Sequence, residues 1–297
     1  MKYLRKQLDD TVTNFQFDHT QNVPMLFVSD IHLDSIHCKR EILFEHFDEI
    51  KRNDGLIFIF GDLLDLMATY GDKRLTKQYV RDEYILKGQS YLDLVCEDIV
   101  KLLMPYKDNI AFVSQGNHET SIFKYHDTDP LRRICYMLNN EGANVHYQAS
   151  YSGFIKFDFI RNKKMHAKCL LHYHHGYGGN AQRSKGMLKV QIDAMTYPDV
   201  DIFVRGHTHQ KWHDPSTTRV RLNHNGKIHK TSSDYIQLGS YVDSVDKGKG
   251  GWVVEKGFTP TSIGGYFVEL EFKRTTIDKI DKEYVLRNIY PTRVQEF

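Results

Sequence analysis

Cysteine is scarce and unpaired in this chain: Cys38, Cys96, Cys135 and Cys169 are its only four in 297 residues, and none forms a CxxC pair. That spacing excludes a zinc ribbon and offers no disulfide framework, so reduced thiols in a cytoplasmic protein are expected. Proline is sparse too, with seven residues, and no repeat or low-complexity tract marks a linker. One continuous domain over residues 1–297 is therefore expected. No run approaches the ~18 apolar residues of a membrane span, and the opening MKYLRKQLDD lacks the apolar core of an export signal. No membrane partner is expected. Neither sign of charge dominates, since 40 basic and 38 acidic residues leave a net +2. That balance excludes the global field of a protein that coats nucleic acid, so a polyanion would have to be met locally. Nothing in the sequence points to a protein partner.

What the chain does have is 40% hydrophobic residues, enough for a substantial core, and sixteen histidines. Short apolar runs with β-branched or aromatic content recur at Met25 to Val28, Leu56 to Phe60, Ile110 to Val113, Cys169 to Leu171 and Ile202 to Val204. They predict buried strands. Helical spacing is predicted over about Lys39 to Lys51, Leu75 to Met104, Pro130 to Asn139 and Lys185 to Met195. The first half thus alternates strand and helix, the pattern of a parallel-rich sheet with helices outside. From about Arg219 to Phe272, and on to about residue 290, alternating Gly-punctuated segments such as Tyr235 to Leu238 and Tyr266 to Phe272 predict antiparallel strands of a second sheet. Two stacked sheets flanked by helices is the expected architecture.

Each of the five apolar runs ends in residues able to bind metal: SDIHLD (Asp30, His32), GDLLD (Asp62, Asp65), GNHE (Asn117, His118, Glu119), HYHHG (His172, His174, His175) and GHTH (His207, His209). In open α/β sheets, sites gather beyond the carboxyl ends of strands, so this topology can bring all five clusters to one crevice. Imidazole nitrogens, carboxylate oxygens and one amide oxygen, with no thiolate, suit a catalytic centre of Mn, Fe, Zn or Ni. Residues two apart on an extended segment share a face, so Asp30 and His32 are expected to grip one ion from a strand-like backbone, and His207 and His209 are read with the same geometry. Singly, each cluster is better explained as a turn or a helix cap. Their joint occurrence, in this order and each after an apolar run, is very hard to obtain by chance.

With these motifs the chain resembles the calcineurin-like metallophosphoesterase superfamily over about Met25 to His209. The resemblance implies a four-layer αββα sandwich of two mixed sheets with helices outside. It also implies two divalent ions, manganese first among the candidates. Asp30, His32 and His209 would hold one ion, and Asn117, His207 and a histidine of HYHHG the other, with Asp62 bridging. The family histidine usually precedes a glycine, which favours His175, with His174 and His172 still open. His118 would protonate or stabilise the leaving oxygen, oriented by Asp65, while the ions share an attacking hydroxide.

The protein-phosphatase branch continues its second motif with Asp-Arg-Gly, whereas Asp65 is followed here by Leu66 and Met67. Branches that cleave phosphodiesters, nucleases and cyclic-nucleotide phosphodiesterases among them, are closer. The segment GYGGNAQRSKGMLK offers glycine amides with Arg183, Lys185 and Lys189 for a phosphate or a nucleic-acid backbone, though the same composition fits a solvated loop entering a helix. Lys211, Trp212 and His213 are placed near the rim, where Trp212 would either stack on a base or pack. Lys256 to Tyr266 is similar to a segment of phage-type members. A phosphodiesterase on nucleic acid or nucleotides is the expectation. Its rivals are a phosphomonoesterase on small or terminal phosphates and an inert binding scaffold, the latter disfavoured because no ligand position is missing.

Overall fold

A computed structural model describes residues 1–66, 80–84, 90–178, 184–243, 261–277 and 280–293. Of the predicted elements and residues, Arg183, residues 256–260 and much of the segment before Ser90 lie outside these.

The motif-bearing runs are strands. In one sheet, β3 (Asn22–Val28), β4 (Leu56–Phe60) and β5 (Ile110–Ser114) run parallel, followed by the short β6 (His146–Gln148). The sheet is completed on its other side by β12 (Tyr266–Ile277), antiparallel to β3, and then β13 (Ile280–Pro291). Alternation decides which layer each side chain enters. From β3 and β4, Leu26, Val28, Ile57 and Ile59 pack under α1 (Arg40–Arg52), α2 (Tyr91–Leu103) and α4 (Pro130–Asn140), while Met25, Phe27, Phe58 and Phe60 face the other sheet. Helix α1 buries Leu43, His46, Phe47 and Ile50, the single stripe that 3.6-residue spacing predicts.

The second sheet has the order β1-β2-β7-β8-β9-β11-β10. It contains β1 (Leu4–Asp9), β2 (Val12–Asp18), β7 (Ser152–Arg161), β8 (Lys164–His174), β9 (Ile202–Arg205), β10 (Trp212–Leu222) and β11 (Ile228–Gln237). Between the sheets lies an aromatic layer, with Phe15, Phe17, Phe157, Phe159 and Tyr173 meeting Phe27, Phe58, Phe60 and Phe112. On the outer face, α5 (Met187–Thr196) sets Val190 against Val200, Phe203 and Tyr235. The architecture is the four-layer αββα sandwich of two mixed sheets.

Three expectations are corrected. The late strands do not all belong to one sheet: β10 and β11 extend the second, but β12 and β13 close the first, because Tyr266 to Glu271 pair with Phe27 to Asn22 and leave Val268 and Leu270 in the inter-sheet core. The long helix predicted over Leu75 to Met104 is, in its described part, a bridge of Val80 with Ser35, a 3-10 turn at Asp82–Tyr84 and α2. Arg81, donating to the carbonyls of Ser35 (3.0 Å) and Cys38 (3.2 Å), holds that stretch against the loop entering α1 rather than in a helix. The strand-like geometry assigned to the Asp-x-His and His-x-His pairs is wrong for a third reason, which belongs to the site. The sequence reading also placed no helix at α3 (Asn117–His126) and no hairpin at β1–β2.

Candidate metal centre

The clusters converge at the carboxyl ends of β3, β4, β5, β8 and β9. Asp30, His32, Asp62, His207 and His209 all have φ between 49° and 71°, the left-handed region that side-chain-bearing residues seldom occupy. After β3, β4 and β9 the chain turns through left-handed residues rather than running on extended, which is why strand geometry misdescribes these pairs. Such conformations cost about 1–3 kcal/mol each and gather at functional sites. Close backbone approach explains two of the motif glycines. A Cβ on Gly116 would run into Asp62 Oδ1, and one on Gly206 would lie 2.7 Å from Asp30 Oδ2.

Among the described residues three donor triads result. Asp30, His32 and His209 form the first, Asp62, His175 and His207 the second, and His32, Asp65 and His118 the third, the donor atoms within each lying within 4.8 Å of one another. In the first, Asp30 Oδ1 is 3.3 Å from His209 Nε2. In the second, His175 Nε2 is 3.2 Å from Asp62 Oδ2 and 3.2 Å from Asn117 Oδ1, which also lies 2.7 Å from His207 Nδ1. Among the histidines of HYHHG, then, His175 faces the cluster. His172 is packed among Phe154, Tyr197 and Phe203, where burial, with His174 and Arg205, lowers its pKa to about 3. His174 Nδ1 accepts from the Gly176 amide at 2.9 Å.

The residues present fit divalent ions. Histidine ligands need one nitrogen deprotonated, and the other ring nitrogen usually fixes this by donating elsewhere. His175 Nδ1 donates to Phe60 O (3.0 Å), leaving the Nε2 lone pair toward Asp62; His207 Nε2 donates to Gly178 O (2.9 Å), leaving Nδ1 toward Asn117. Among the described residues, Asp30 Oδ1 and His32 Nε2 are buried without a hydrogen-bond partner, an arrangement that is costly unless a cation completes it. Burial would raise the Asp30 carboxyl, but His175 and His209 hold it down to about 2. Burial would likewise lower His175 and His32, yet Asp62 and Asp30 lift His175 to about 10, and Asp65 with Asp62 and Asp30 lifts His32 to about 9. Protons thus occupy positions where cations would sit.

His118 belongs to the third triad, with His32 and Asp65, beside the other two. Its Nδ1 is 2.6 Å from the backbone oxygen of Asp65, and its Nε2 is 4.0 Å from Asp62 Oδ2. The Asp65 carboxylate reaches both His32 Nδ1 (3.2 Å) and His118 Nδ1 (3.4 Å). Lys185 is exposed, and its carbonyl accepts from Trp212 Nε1 (2.7 Å) while the Trp212 ring packs with Phe203 and Tyr235. Lys211 does not present its charge at the rim: the amine donates to Thr292 O (2.8 Å) and Ile263 O (3.1 Å). His213 lies against Asp234 (3.1 Å).

Three supporting residues went unassigned in the sequence. Glu119, noted only as a possible metal binder, accepts from the amides of Gly116 (2.9 Å), Leu64 (3.1 Å) and Asp62 (3.2 Å), tying α3 to the GDLLD turn. A Gly-x-x-Glu at the start of a helix is a capping signal that could have found both Glu119 and α3. Ser29 places its hydroxyl 2.6 Å from Asp30 Oδ2, and Asp34 binds the amides of Asp65 (2.5 Å) and Leu66 (2.9 Å). No local pattern announces these two.

The fold and the donor set together define an α/β protein with histidine–carboxylate clusters at its strand ends that could hold cations. A family model for calcineurin-like phosphoesterases matches residues 23–211, and the chain belongs to that family. No protein of curated function matches at a significant level. Among solved structures, similarity extends to a predicted phosphoesterase of Streptococcus pneumoniae (12% identity, 90% of this chain and 99% of that one, TM-score 0.31). It extends also to zinc-complexed Vps29 of Entamoeba histolytica (12%, 89% and 99%, 0.34) and to GAP50, the anchor in the inner membrane complex of Plasmodium (14%, 84% and 81%, 0.36).

Proposed function

We propose that the chain is a two-metal phosphodiesterase acting on nucleic-acid or nucleotide phosphodiesters. The observation that carries the metal-dependent phosphoesterase reading is the pair of triads Asp30–His32–His209 and Asp62–His175–His207, with Asn117 Oδ1 between His175 and His207. Asp30, His32 and His209 would hold one ion, and His175, His207 and Asn117 the other, with Asp62 shared. Nitrogen and oxygen donors without thiolate favour manganese, with iron, zinc or nickel as the other borderline choices. When bound, a pair of divalent ions supplies Lewis acidity toward phosphate oxygens and lowers the pKa of water.

The protein's own contribution is placement and proton handling. Five strand ends fix the donors on a rigid scaffold, and His118, with its Nδ1 proton committed to a carbonyl, directs Nε2 toward the side of the centre lined by Asp62. From there it would deliver a proton to the leaving oxygen. Preference for a diester is supported by charge. A monoester dianion calls for a further cation beside the metals, whereas GDLLD continues with the buried Leu66, not an arginine. Lys185, and Arg183 outside the described residues, would meet a flanking phosphate.

Hydrolysis of bis-p-nitrophenyl phosphate against p-nitrophenyl phosphate, with manganese added, tests the reading. Faster cleavage of the diester is expected; a strong preference for the monoester overturns the diester assignment, and chelator-insensitive inactivity on both overturns the enzymatic one. Asp62→Ala should bind fewer than two manganese equivalents, and two retained equivalents would exclude its shared role.

A further inference from the structure

Five strand ends carry the donors of the centre, and a sixth, that of β11, supports two of them. The residues Gln237 to Tyr241 lie after the last metal-binding motif in the sequence and are all buried. They run past both the GHTH and the SDIHLD turns, and in each turn they hold a peptide next to a left-handed residue. In GHTH that residue is His207, at φ 71°. The Gly206–His207 peptide before it accepts from Gln237 Nε2 at 2.7 Å, with the Thr208 amide at 2.9 Å on the same oxygen, and its own amide donates to Asp30 Oδ2 at 2.8 Å. In SDIHLD the left-handed residue is Asp30, at φ 51°. The Asp30–Ile31 peptide after it accepts from Ser240 Oγ at 2.7 Å and from the Tyr241 amide at 3.1 Å, and its own amide donates to Asp62 O at 2.8 Å. The segment is itself pinned. Its Leu238 amide donates to Arg205 O (2.8 Å), Ser240 O accepts from the Gly264 amide (2.9 Å), and a Cβ on Gly239 would lie 2.6 Å from Gly264 O.

We propose that Gln237 and Ser240 are positioning residues of the metal centre, Gln237 for His207 and Ser240 for Asp30. A peptide is planar, so a donor on its carbonyl and an acceptor for its amide together fix the rotation of the whole unit. In both turns a cluster residue, Asp30 or Asp62, fixes the amide side, and the segment after β11 fixes the carbonyl side. Left-handed backbone is unfavourable for a residue with a side chain and persists only where the surroundings impose it. Without the carbonyl donor each peptide is free to turn, and the side chain beside it leaves its triad. The proposal rests on the two-metal reading in one respect, that the donors so aimed bind cations.

Two measurements on the full chain test it, with Ser233→Ala as the control. Ser233 lies on the same strand, is buried, and also donates its hydroxyl to a backbone oxygen, that of Val200 at 3.1 Å, which precedes β9 at the end opposite GHTH. By isothermal titration calorimetry, manganese should bind about tenfold or more weakly to Ser240→Ala and to Gln237→Met, as when other groups that orient metal ligands are removed. Ser233→Ala should bind it as the wild type does. In the metal-free protein, hydrogen exchange should quicken at the Ile31 amide in Ser240→Ala and at the His207 amide in Gln237→Met, and at neither in Ser233→Ala. Ser240→Ala, which removes a single oxygen atom, carries the test if Gln237→Met does not fold. Wild-type affinity in the two variants, an equal loss in Ser233→Ala, or unchanged exchange at Ile31 and His207 would overturn the proposal. A wild-type chain that binds no manganese would strike the metal reading alone, since the exchange is read without it.

Discussion

Protons and divalent ions compete for the same imidazoles at this centre. His32 and His175 have folded-state values of about 9 and about 10 against an ordinary 6.5. A raised value means that the folded metal-free protein holds protons that the unfolded chain releases. The stability this contributes is complete below pH 6.5 and is lost as pH rises through 9 to 10. Asp30 works in the opposite sense, its contribution being present above 3.8 and lost as pH falls toward 2. The chelated protein should therefore be more resistant to urea at pH 6 than at pH 9, and manganese should bind more tightly at the higher pH because fewer protons must leave. A metal affinity independent of pH over that interval would contradict the proton-filled site. Glu119 presents a separate case. It is 1% exposed and accepts three amides, and burial, followed by the charge of Asp62, pushes it to about 7. Glu119→Gln replaces one acceptor oxygen with a donor facing a donor. The expected loss is about 1–3 kcal/mol, the cost of leaving a buried amide unpaired, read from urea denaturation of the chelated protein.

At the scale of elements, the strand ends matter more than the strands. Gly116 is the N-cap of α3 and a Cβ on it would meet Asp62, so Gly116→Ala should displace Asp62 Oδ1 and lower metal content while leaving the helix intact by circular dichroism, since the cap has no side-chain hydrogen bond to lose. Loss of helix with full metal content would be the contrary result. Five strands were legible because β4 reads as continuous apolar sequence and β3 nearly so, and all five motif clusters were legible because each follows such a run. The reversal of φ at Asp30, His32, Asp62, His207 and His209 was not, since any residue can be forced into that region by its surroundings and nothing in its own side chain declares it. The hairpin β1–β2 escaped for a related reason. Its inward residues Phe15 and Phe17 alternate with Asn14 and Gln16 as a strand should, but one short amphipathic segment cannot be distinguished from a loop until a partner strand is known. The pairing of β12 with β3 depends on contacts some 240 positions apart in sequence, which local pattern does not encode.

For the molecule as a whole, the inter-sheet layer and the metal centre are two ends of one construction. Phe58 stands in the middle of that layer, with Phe15, Phe27, Phe112 and Phe157 at centroid distances between 5.3 and 6.0 Å. Phe58→Ala should cost about 3–5 kcal/mol by emptying this position. Its strand also carries Phe60, whose carbonyl orients His175, so repacking there reaches the site.

The ions, in turn, should act on the entire fold. Their donors come from the ends of five strands divided between two sheets, β3, β4 and β5 in one and β8 and β9 in the other. No unfolded chain reproduces that set, so cations bind the native state almost exclusively and stabilise it by mass action. At a free concentration a hundredfold above the dissociation constant the gain is about 2.7 kcal/mol for each ion. Urea denaturation in chelator and in manganese should show this displacement for the wild-type chain, and a reduced one for Asp62→Ala, whose carboxylate faces His175 across 3.2 Å. Coincident transitions in chelator and manganese for the wild-type protein would mean that the two sheets are not joined through a cation, and that the triads hold one another by charge alone.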